Sequence, residues 1–377
     1  MQIGIFETEH FEGAFPGIQL FDLPANHLVI FTNGDTYKRF ADLFKEEVDK
    51  FEWVILDTTP SRLLFFVNMY RAARKHKLDL FYINTISKNH LLFAWVIGLL
   101  RKTRIVITLH DINCFFNARW SFHARQLLHY LGKKALAKRV REFNVVSDTM
   151  MDYLRTKTSA QCLIHNLPGA VFEREQAALV IGGFIHMVVP GTIDKRRRDY
   201  SQVFELLKLA EARQLHLQVT LLGGYYDDYG KEILKQAVAF KTNYTKLFYY
   251  NTPLVKQDEF DKQLDAAHFI FIPSVVETVI CFDIPETYGT SKSSGNIFDV
   301  IKHARPFIVP QGLRVPANLE SSCYRYPSIY NLADFLQHLF LQKDNYHSMQ
   351  QQALNNSADY TLAKVRARNP TLFEIAD

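Results

Sequence analysis

The chain has 377 residues, 48% hydrophobic and 14% aromatic, with a formal net charge of +5. That length excludes a single ordinary domain and suits two, each with its own core, and the composition excludes a disordered or fibrous chain. Four cysteines, Cys114, Cys162, Cys281 and Cys323, lie far apart with no CxxC pair and no metal-ligand spacing, which suits a reduced, cytosolic setting and no metal site.

The opening stretch "MQIGIFETEHFEG" lacks the basic and long apolar segments of an export signal and reads as a first strand. Short apolar runs follow at intervals: "IGIFE", "HLVIFTN", "FEWVILDTT", "LDLFYINT", "TRIVITLHD", "EFNVVSD" and "AQCLIHN". Between them, "DTYKRFADLFKEEVDKF" and "SRLLFFVNMYRAARKHK" repeat apolar residues at three- and four-residue steps, as amphipathic helices do. This alternation predicts parallel strands joined by crossover helices. "LLFAWVIGLL", Leu91 to Leu100, falls short of the roughly 18 residues a membrane-spanning helix needs, and reads as a buried helix.

Arg101, Lys102, Arg104, Arg119, Arg125, Lys133, Lys134, Lys138, Arg139 and Arg141 crowd a region in which Asp111 is nearly the only acid. Such a face suits anionic partners, phospholipid or nucleic acid. Within it, "FHARQLLHYLGKKALAKRVREF" sets Leu127, Leu128, Leu131, Ala135, Leu136 and Val140 at helical spacing. A helix of this kind either packs on its own sheet or lies on an anionic bilayer.

Pro168 and Gly169 break the pattern in "HNLPGAVFEREQAA", which marks a domain boundary. A second series of runs follows: "FIHMVVPGTID", "LQVTLLGGYYDD", "TKLFYYNTPL", "HFIFIPSVVE" and "RPFIVPQ", with a further strand expected just before Tyr288. Both halves therefore read as α/β sandwiches facing a common cleft. Ligands of open parallel sheets sit beyond the carboxyl ends of the strands, which ranks the loops to inspect.

Two such loops carry anion-binding chemistry. In Tyr288, Gly289, Thr290, Ser291, Lys292, Ser293, Ser294, Gly295 and Asn296, glycines, hydroxyls and a lysine lead into a helix, with Asp299 one turn further on. Free amides at a helix start favour an anion, and a carboxylate there suits ribose hydroxyls; alternatively the loop only caps its helix. In "VVPGTIDKRRRDYSQVFELL", Gly191 turns the chain and Lys195, Arg196, Arg197 and Arg198 precede a helix, as a diphosphate grip or as a solvated face.

The two loops together resemble the carboxyl-terminal domain of GT-B glycosyltransferases, in particular the GT4-like, group 1, branch. "DAAHFIFIPSVVE", "TLLGG", "DVIKHARPFIVP", "IVITLHD" and "FNVVSDTMMDYL" continue the resemblance, in family order, over most of the chain. It implies an α/β GT-B fold of two Rossmann-like α/β/α domains facing each other across a cleft. Residues 1–170 would form the acceptor side, 171–350 the donor side, and 351–377 a helical segment packing back on the first domain. The donor site would use Gly191, Thr192, Arg197, Gly223, Pro273, Ser274, the loop from Tyr288 to Asn296, and Asp299. Of the two glutamates that flank this loop in the GT4-like enzymes, the second matches Asp299. The first falls on Ser291, so the sugar-binding acid is missing and retention or inversion stays open. His110 would face the donor sugar. His110, Asp111, Glu7, Glu9 and Glu12 are candidate bases for the acceptor hydroxyl, with Gly13 on the acceptor side.

The implied activity is transfer of a sugar from a nucleoside diphosphate sugar, UDP- or GDP-linked, to a glycan or lipid-linked glycan in polysaccharide or glycoconjugate synthesis. No metal or other cofactor is obligatory where basic residues and helix amides stabilise the leaving diphosphate. The expected location is cytoplasmic, with peripheral contact on the inner face of an anionic membrane. A nucleic-acid partner would leave both anion loops without purpose. A catalytically inactive GT-B binding subunit and a GT-B nucleotide-sugar epimerase are the alternatives.

Overall fold

The computed structural model describes residues 1–56, 61–173, 177–240 and 242–373. Residues 57–60, which close the expected third strand segment, 174–176 in the expected boundary, 241 and 374–377 lie outside the described residues. Seven strands form the first sheet: β1 (Gln2–Phe6), β2 (His27–Thr32), β3 (Glu52–Ile55), β4 (Leu80–Ile83), β5 (Arg104–Thr108), β6 (Glu142–Val145) and β7 (Leu163–Asn166). Six lie within one of the seven apolar runs, and β1 begins one residue before its own. All pair in parallel, in the order β3-β2-β1-β4-β5-β6-β7. Helices cover both faces, so the central strands are buried on both sides and carry nearly continuous apolar residues.

The second sheet contains β8 (Ile185–Pro190), β9 (Leu217–Leu222), β10 (Thr245–Tyr249) and β11 (Phe269–Phe271). Next in the chain, β12 (Glu277–Ile280) and β13 (Ile284–Thr287) form a separate antiparallel hairpin, and β14 (Phe307–Pro310) and β15 (Cys323–Tyr326) return to the sheet. The order is β10-β9-β8-β11-β14-β15, again all parallel. The strand expected before Tyr288 exists as β13, but it belongs to the hairpin. Both sheets thus share one doubly wound order, which reverses between β1 and β4 and between β8 and β11. Crevices open at such reversal points, beyond the strand ends.

Polar side chains start many of the crossover helices. Asn33, Ser147, Asp199 and Asp227 each accept an amide from the first turn of their own helix, a cap whose loss costs about 1 kcal/mol. The helix His90–Leu99 departs from expectation. It buries Phe93, Ala94, Val96 and Ile97 but leaves Leu91, Trp95 and Leu99 exposed, so it is buried on one face only.

After β15 the helices Ile329–Leu341 and Asp344–Ser357 stay on the second domain, and the chain then crosses back. Val365 and Leu372, on Leu362–Arg368 and Pro370–Phe373, are fully buried in the core that holds Ile3, Ile18 and Phe21. Arg366 donates to the carbonyls of Leu20 at 2.9 Å and Gln19 at 2.8 Å, and Asn369 binds the backbone of Asn166 in both directions.

Candidate active site

At the reversal point of the second sheet, β8 ends at Pro190 and Gly191 turns the chain with φ +94°. A Cβ on Gly191 would strike the Arg198 guanidinium at 2.4 Å, and one on Gly223 would strike the Gly191 carbonyl at 2.1 Å. The two glycines let three backbone segments close over a buried arginine. Arg198 Nη1 donates to the Thr192 carbonyl at 2.9 Å and Nη2 to Asn296 Oδ1 at 2.8 Å. Its Nε is buried without a hydrogen-bond partner among the described residues. Asn296 in turn donates to the Pro190 carbonyl at 3.0 Å and contacts Asp299 Oδ2 at 3.3 Å. The Pro273 carbonyl accepts the Asp199 amide at 2.8 Å, and buried Ser274 bridges to Arg198. The basic run therefore turns Arg198 inward. Arg197 sits at the surface, with Arg196, paired to Asp194.

Burial raises the Asp299 carboxyl to about 6, although His303, Asn296, Lys302 and Arg198 all favour its charged form. An acid of this kind stays mostly ionised at pH 7 and can accept a hydrogen bond from a hydroxyl.

The loop that follows β13 is wound tightly on itself. Gly289 has φ +75° and presses on the Arg314 carbonyl, which a Cβ would meet at 1.9 Å. The amides of Thr290, Ser291 and Lys292 all point to the Thr287 carbonyl, at 3.1, 2.9 and 3.1 Å, and that of Gly289 to the Lys292 carbonyl at 2.9 Å. Those amides, expected on phosphate, serve the loop's own turn. What faces outward is the start of the helix Gly295–His303, whose cap residue Ser294 makes no side-chain cap bond. Tyr288 is buried, with the Lys292 ammonium 5.4 Å from its ring centre.

This loop also joins the two domains. Lys292 forms an ion pair with Asp111, the Ile112 amide donates to the Ser291 carbonyl at 2.7 Å, and the Ser293 amide donates to the His110 carbonyl at 2.9 Å. Ser291 Oγ accepts the Thr287 amide at 2.9 Å. Beside it stands Glu286, 1% exposed, whose Oε1 accepts the Cys114 amide at 2.6 Å. Its Oε2 is buried and lacks a well-formed hydrogen bond. Burial raises this carboxyl to about 7, against the pull of the Ser291 hydroxyl and the Cys114 amide, and the Asp111 charge raises it further. An acid thus reaches the position of Ser291 from five residues upstream, carried by the hairpin.

At the reversal point of the first sheet, fully buried Glu7 organises the loop after β1. Its Oε1 accepts the amides of Thr8 at 2.7 Å, Glu9 at 2.5 Å and His10 at 2.8 Å. Its Oε2 accepts Asn84 Nδ2 at 2.6 Å and Thr85 Oγ1 at 2.7 Å. With both oxygens committed, Glu7 is a positioning residue. The loop it holds presents exposed Glu9, bonded to Ser87, to an open pocket of about 200 Å³ that includes Asn33, Arg62, Thr85 and Lys88. Glu12 and Gly13 lie on the next helix, Phe11–Phe21, with open space above Gly13. His110 Nε2 lies 3.0 Å from the Asn84 carbonyl and so donates to it, which leaves Nδ1 as acceptor, 3.5 Å from Ser293 Oγ. Burial holds this imidazole below its ordinary pKa, hence neutral at pH 7.

Sequence reasoning missed the inward turn of Arg198 and the placement of Glu286 beside Ser291. The arginine sat inside a run already singled out. The glutamate had no signal, because its place depends on a hairpin outside the sheet.

The basic residues of the first domain are less uniform than their sequence suggests. Lys133 is buried at 3% exposure, and Arg104 is paired with Glu142 at 2.6 Å. Near the remainder, Trp120 and Phe122 are 57% and 89% exposed, and Leu128 and Leu131 stand out from the helix Ala124–Arg139. Among the described residues no helix is long and apolar enough to cross a membrane.

No family model matches the sequence, and no curated protein matches it. The fold, in contrast, has many solved counterparts. Sucrose-phosphate synthase from Thermosynechococcus elongatus superposes with a TM-score of 0.59 at 14% identity, over 99% of this chain and 98% of that one. A protein described as a UDP-N-acetylglucosamine 2-epimerase from Listeria monocytogenes gives 0.58 at 11% identity, over 100% and 97%. The pneumococcal O-GlcNAc transferase GtfA, solved with UDP and GlcNAc, gives 0.52 at 12% identity, over 83% and 60%. The fold of this chain is GT-B: two parallel sheets of seven and six strands with helices on their faces.

Proposed function

We propose that this chain is a glycosyltransferase that moves a sugar from a nucleoside diphosphate sugar to a glycan or lipid-linked glycan, in polysaccharide or glycoconjugate synthesis. The observation that carries this reading is the junction of the two domains at the Tyr288–Asn296 loop, where Lys292 pairs with Asp111 and the Ser293 amide meets the His110 carbonyl, beside an uncapped helix start. The similarity in fold to transferases, one of them solved with UDP, supports it further.

In this reading Lys292, Arg198 and the Gly295 end of the helix stabilise the charge that develops on the departing diphosphate, preorganised so that little must move during reaction. Asp299 takes the ribose. Glu286, standing beside Ser291, supplies the carboxylate on the sugar side. Glu9 or His110 receives the acceptor proton. The acceptor enters the pocket beside Arg62 and Lys88, cations that suit a phosphorylated, lipid-linked glycan. The exposed Trp120, Phe122, Leu128 and Leu131 with their basic neighbours would rest on the anionic inner face of a membrane, in keeping with the expected cytoplasmic location.

The test is donor turnover. UDP-, GDP-, CMP- and dTDP-sugars are incubated with the protein and a mixed glycan-lipid fraction, and thermal shifts with the free nucleotides are read in parallel. Stabilisation by one nucleoside diphosphate, with sugar appearing on acceptor, is the expected result. No shift with any nucleotide would sink the proposal. The epimerase-like neighbour favours one second reading, conversion of the donor itself without acceptor, visible in the same assay as an altered nucleotide sugar.

A further inference from the structure

Cys114, His129 and Cys281 are scattered in sequence, yet their donor atoms all lie within 4.8 Å of one another. Cys114 sits on the short helix Ile112–Phe116 and His129 on Ala124–Arg139, both in the first domain, while Cys281 sits at the tip of the β12–β13 hairpin of the second. We infer that these three side chains form a binding site for a thiophilic divalent cation, zinc by preference, which ties the two domains together.

Two thiolates and one imidazole are the donors zinc prefers, and three protein ligands leave its fourth position open. The surroundings are built for that cluster. Buried Lys133, one turn after His129, donates to the Cys114 carbonyl and to Cys114 Sγ, the latter at 2.9 Å, as outer groups do for metal-bound sulfur. The hairpin tip is conformationally costly. Cys281, Phe282 and Asp283 stand at φ 38°, 65° and 59°, three successive non-glycine residues in the left-handed region. A tip that only had to reverse the chain would use glycine or asparagine there. This one accepts unfavourable backbone angles and thereby brings Cys281 to Cys114. The Phe282 ring packs on His129 at 5.3 Å, and the His90 ring flanks it at 4.6 Å on another side, which fixes the imidazole.

Charge balance suggests what fills the fourth position. Two thiolates neutralise a divalent cation, and the Lys133 ammonium leaves an excess positive charge. An anion, hydroxide or a small thiolate, would complete the site. Because Cys114 donates its amide to Glu286, cation binding would also fix the hairpin that carries that acid.

The experiment uses the full chain, purified under reducing conditions, stripped with a chelator and titrated with Co²⁺. The expected result is a sulfur-to-cobalt charge-transfer band with intense visible bands of a tetrahedral ion, saturating at a single equivalent and abolished by Zn²⁺. Cys281→Ser and His129→Ala should each weaken binding at least tenfold with unchanged circular dichroism. Cys281 is exposed, so its replacement tests the site even where a change at buried Cys114 would unfold the chain. A reduced protein that gives no cobalt band and retains no zinc after gel filtration overturns the inference. So does a chain isolated with Cys114 and Cys281 joined as a disulfide that, once reduced, takes up no metal.

Discussion

The ammonium of Lys292, on the second domain, is ion-paired with the Asp111 carboxylate of the first. The cation proposed for the donor diphosphate is therefore held across the cleft before any ligand arrives, and a nucleotide must compete with Asp111 for it. Lys292→Ala should weaken UDP or GDP affinity about tenfold, the loss of one charge-assisted contact. Asp111→Asn, which releases the lysine, should leave affinity equal or better. Isothermal titration on both variants decides, and equal affinity in Lys292→Ala and the unaltered protein would remove this lysine from the site.

Arg198 and Arg197 differ by one position and by almost everything else. Arg198→Met would leave the Thr192 carbonyl and Asn296 without their donor in a buried pocket, and should cost about 2 kcal/mol or more, together with nucleotide binding. Arg197→Ala removes a surface pair with Asp194 and should change stability by less than about 0.5 kcal/mol. Urea denaturation of the two variants measures the contrast.

The Glu286 carboxyl titrates near 7 in the folded chain, against 4.5 as its ordinary value. The folded state holds this proton more tightly than the unfolded one, so the group's contribution is complete below pH 4.5, declines as pH rises to 7, and is flat above. Its size over that interval is about 3 kcal/mol. Asp299, raised to about 6, adds a decline of the same sign over lower pH. Glu286→Gln should flatten the upper part of the stability profile measured between pH 5 and 8. In the same variant sugar transfer should fall at least a hundredfold while nucleotide affinity persists.

Replacing Leu128 and Leu131 together by Ser should reduce flotation with vesicles rich in anionic lipid at least fivefold and leave the melting temperature nearly unchanged, since both side chains are exposed. Flotation that persists would place membrane contact elsewhere or nowhere.

Much of this architecture was legible in the sequence because parallel strands buried on both faces read as unbroken apolar runs. The loops worth inspecting followed from where those runs ended. What escaped depended on direction rather than composition. Nothing in four consecutive basic residues says which one turns inward, and that choice is made by Gly191 and Gly223 packing against each other. The uniformly apolar "LLFAWVIGLL" offered no polar face to mark its exposed side. Glu286 and Cys281 sit on a hairpin outside the sheet, so their neighbours are set by how two domains meet, a long-range relation that local pattern does not carry. The amides of Thr290 to Lys292 were expected to be free, and their shared bond to the Thr287 carbonyl is visible only once the loop is folded.

Val365 and Leu372 complete the core of the domain that begins at residue 1. During synthesis the first sheet must wait for the whole of the second domain before these apolar residues arrive. Its core closes only after the second domain has been made. Until then its uncovered surface around Ile18 and Phe21 is a place where a nascent chain can be held by a chaperone or joined wrongly to another copy, and proofreading of the finished fold reduces to whether two short helices have docked.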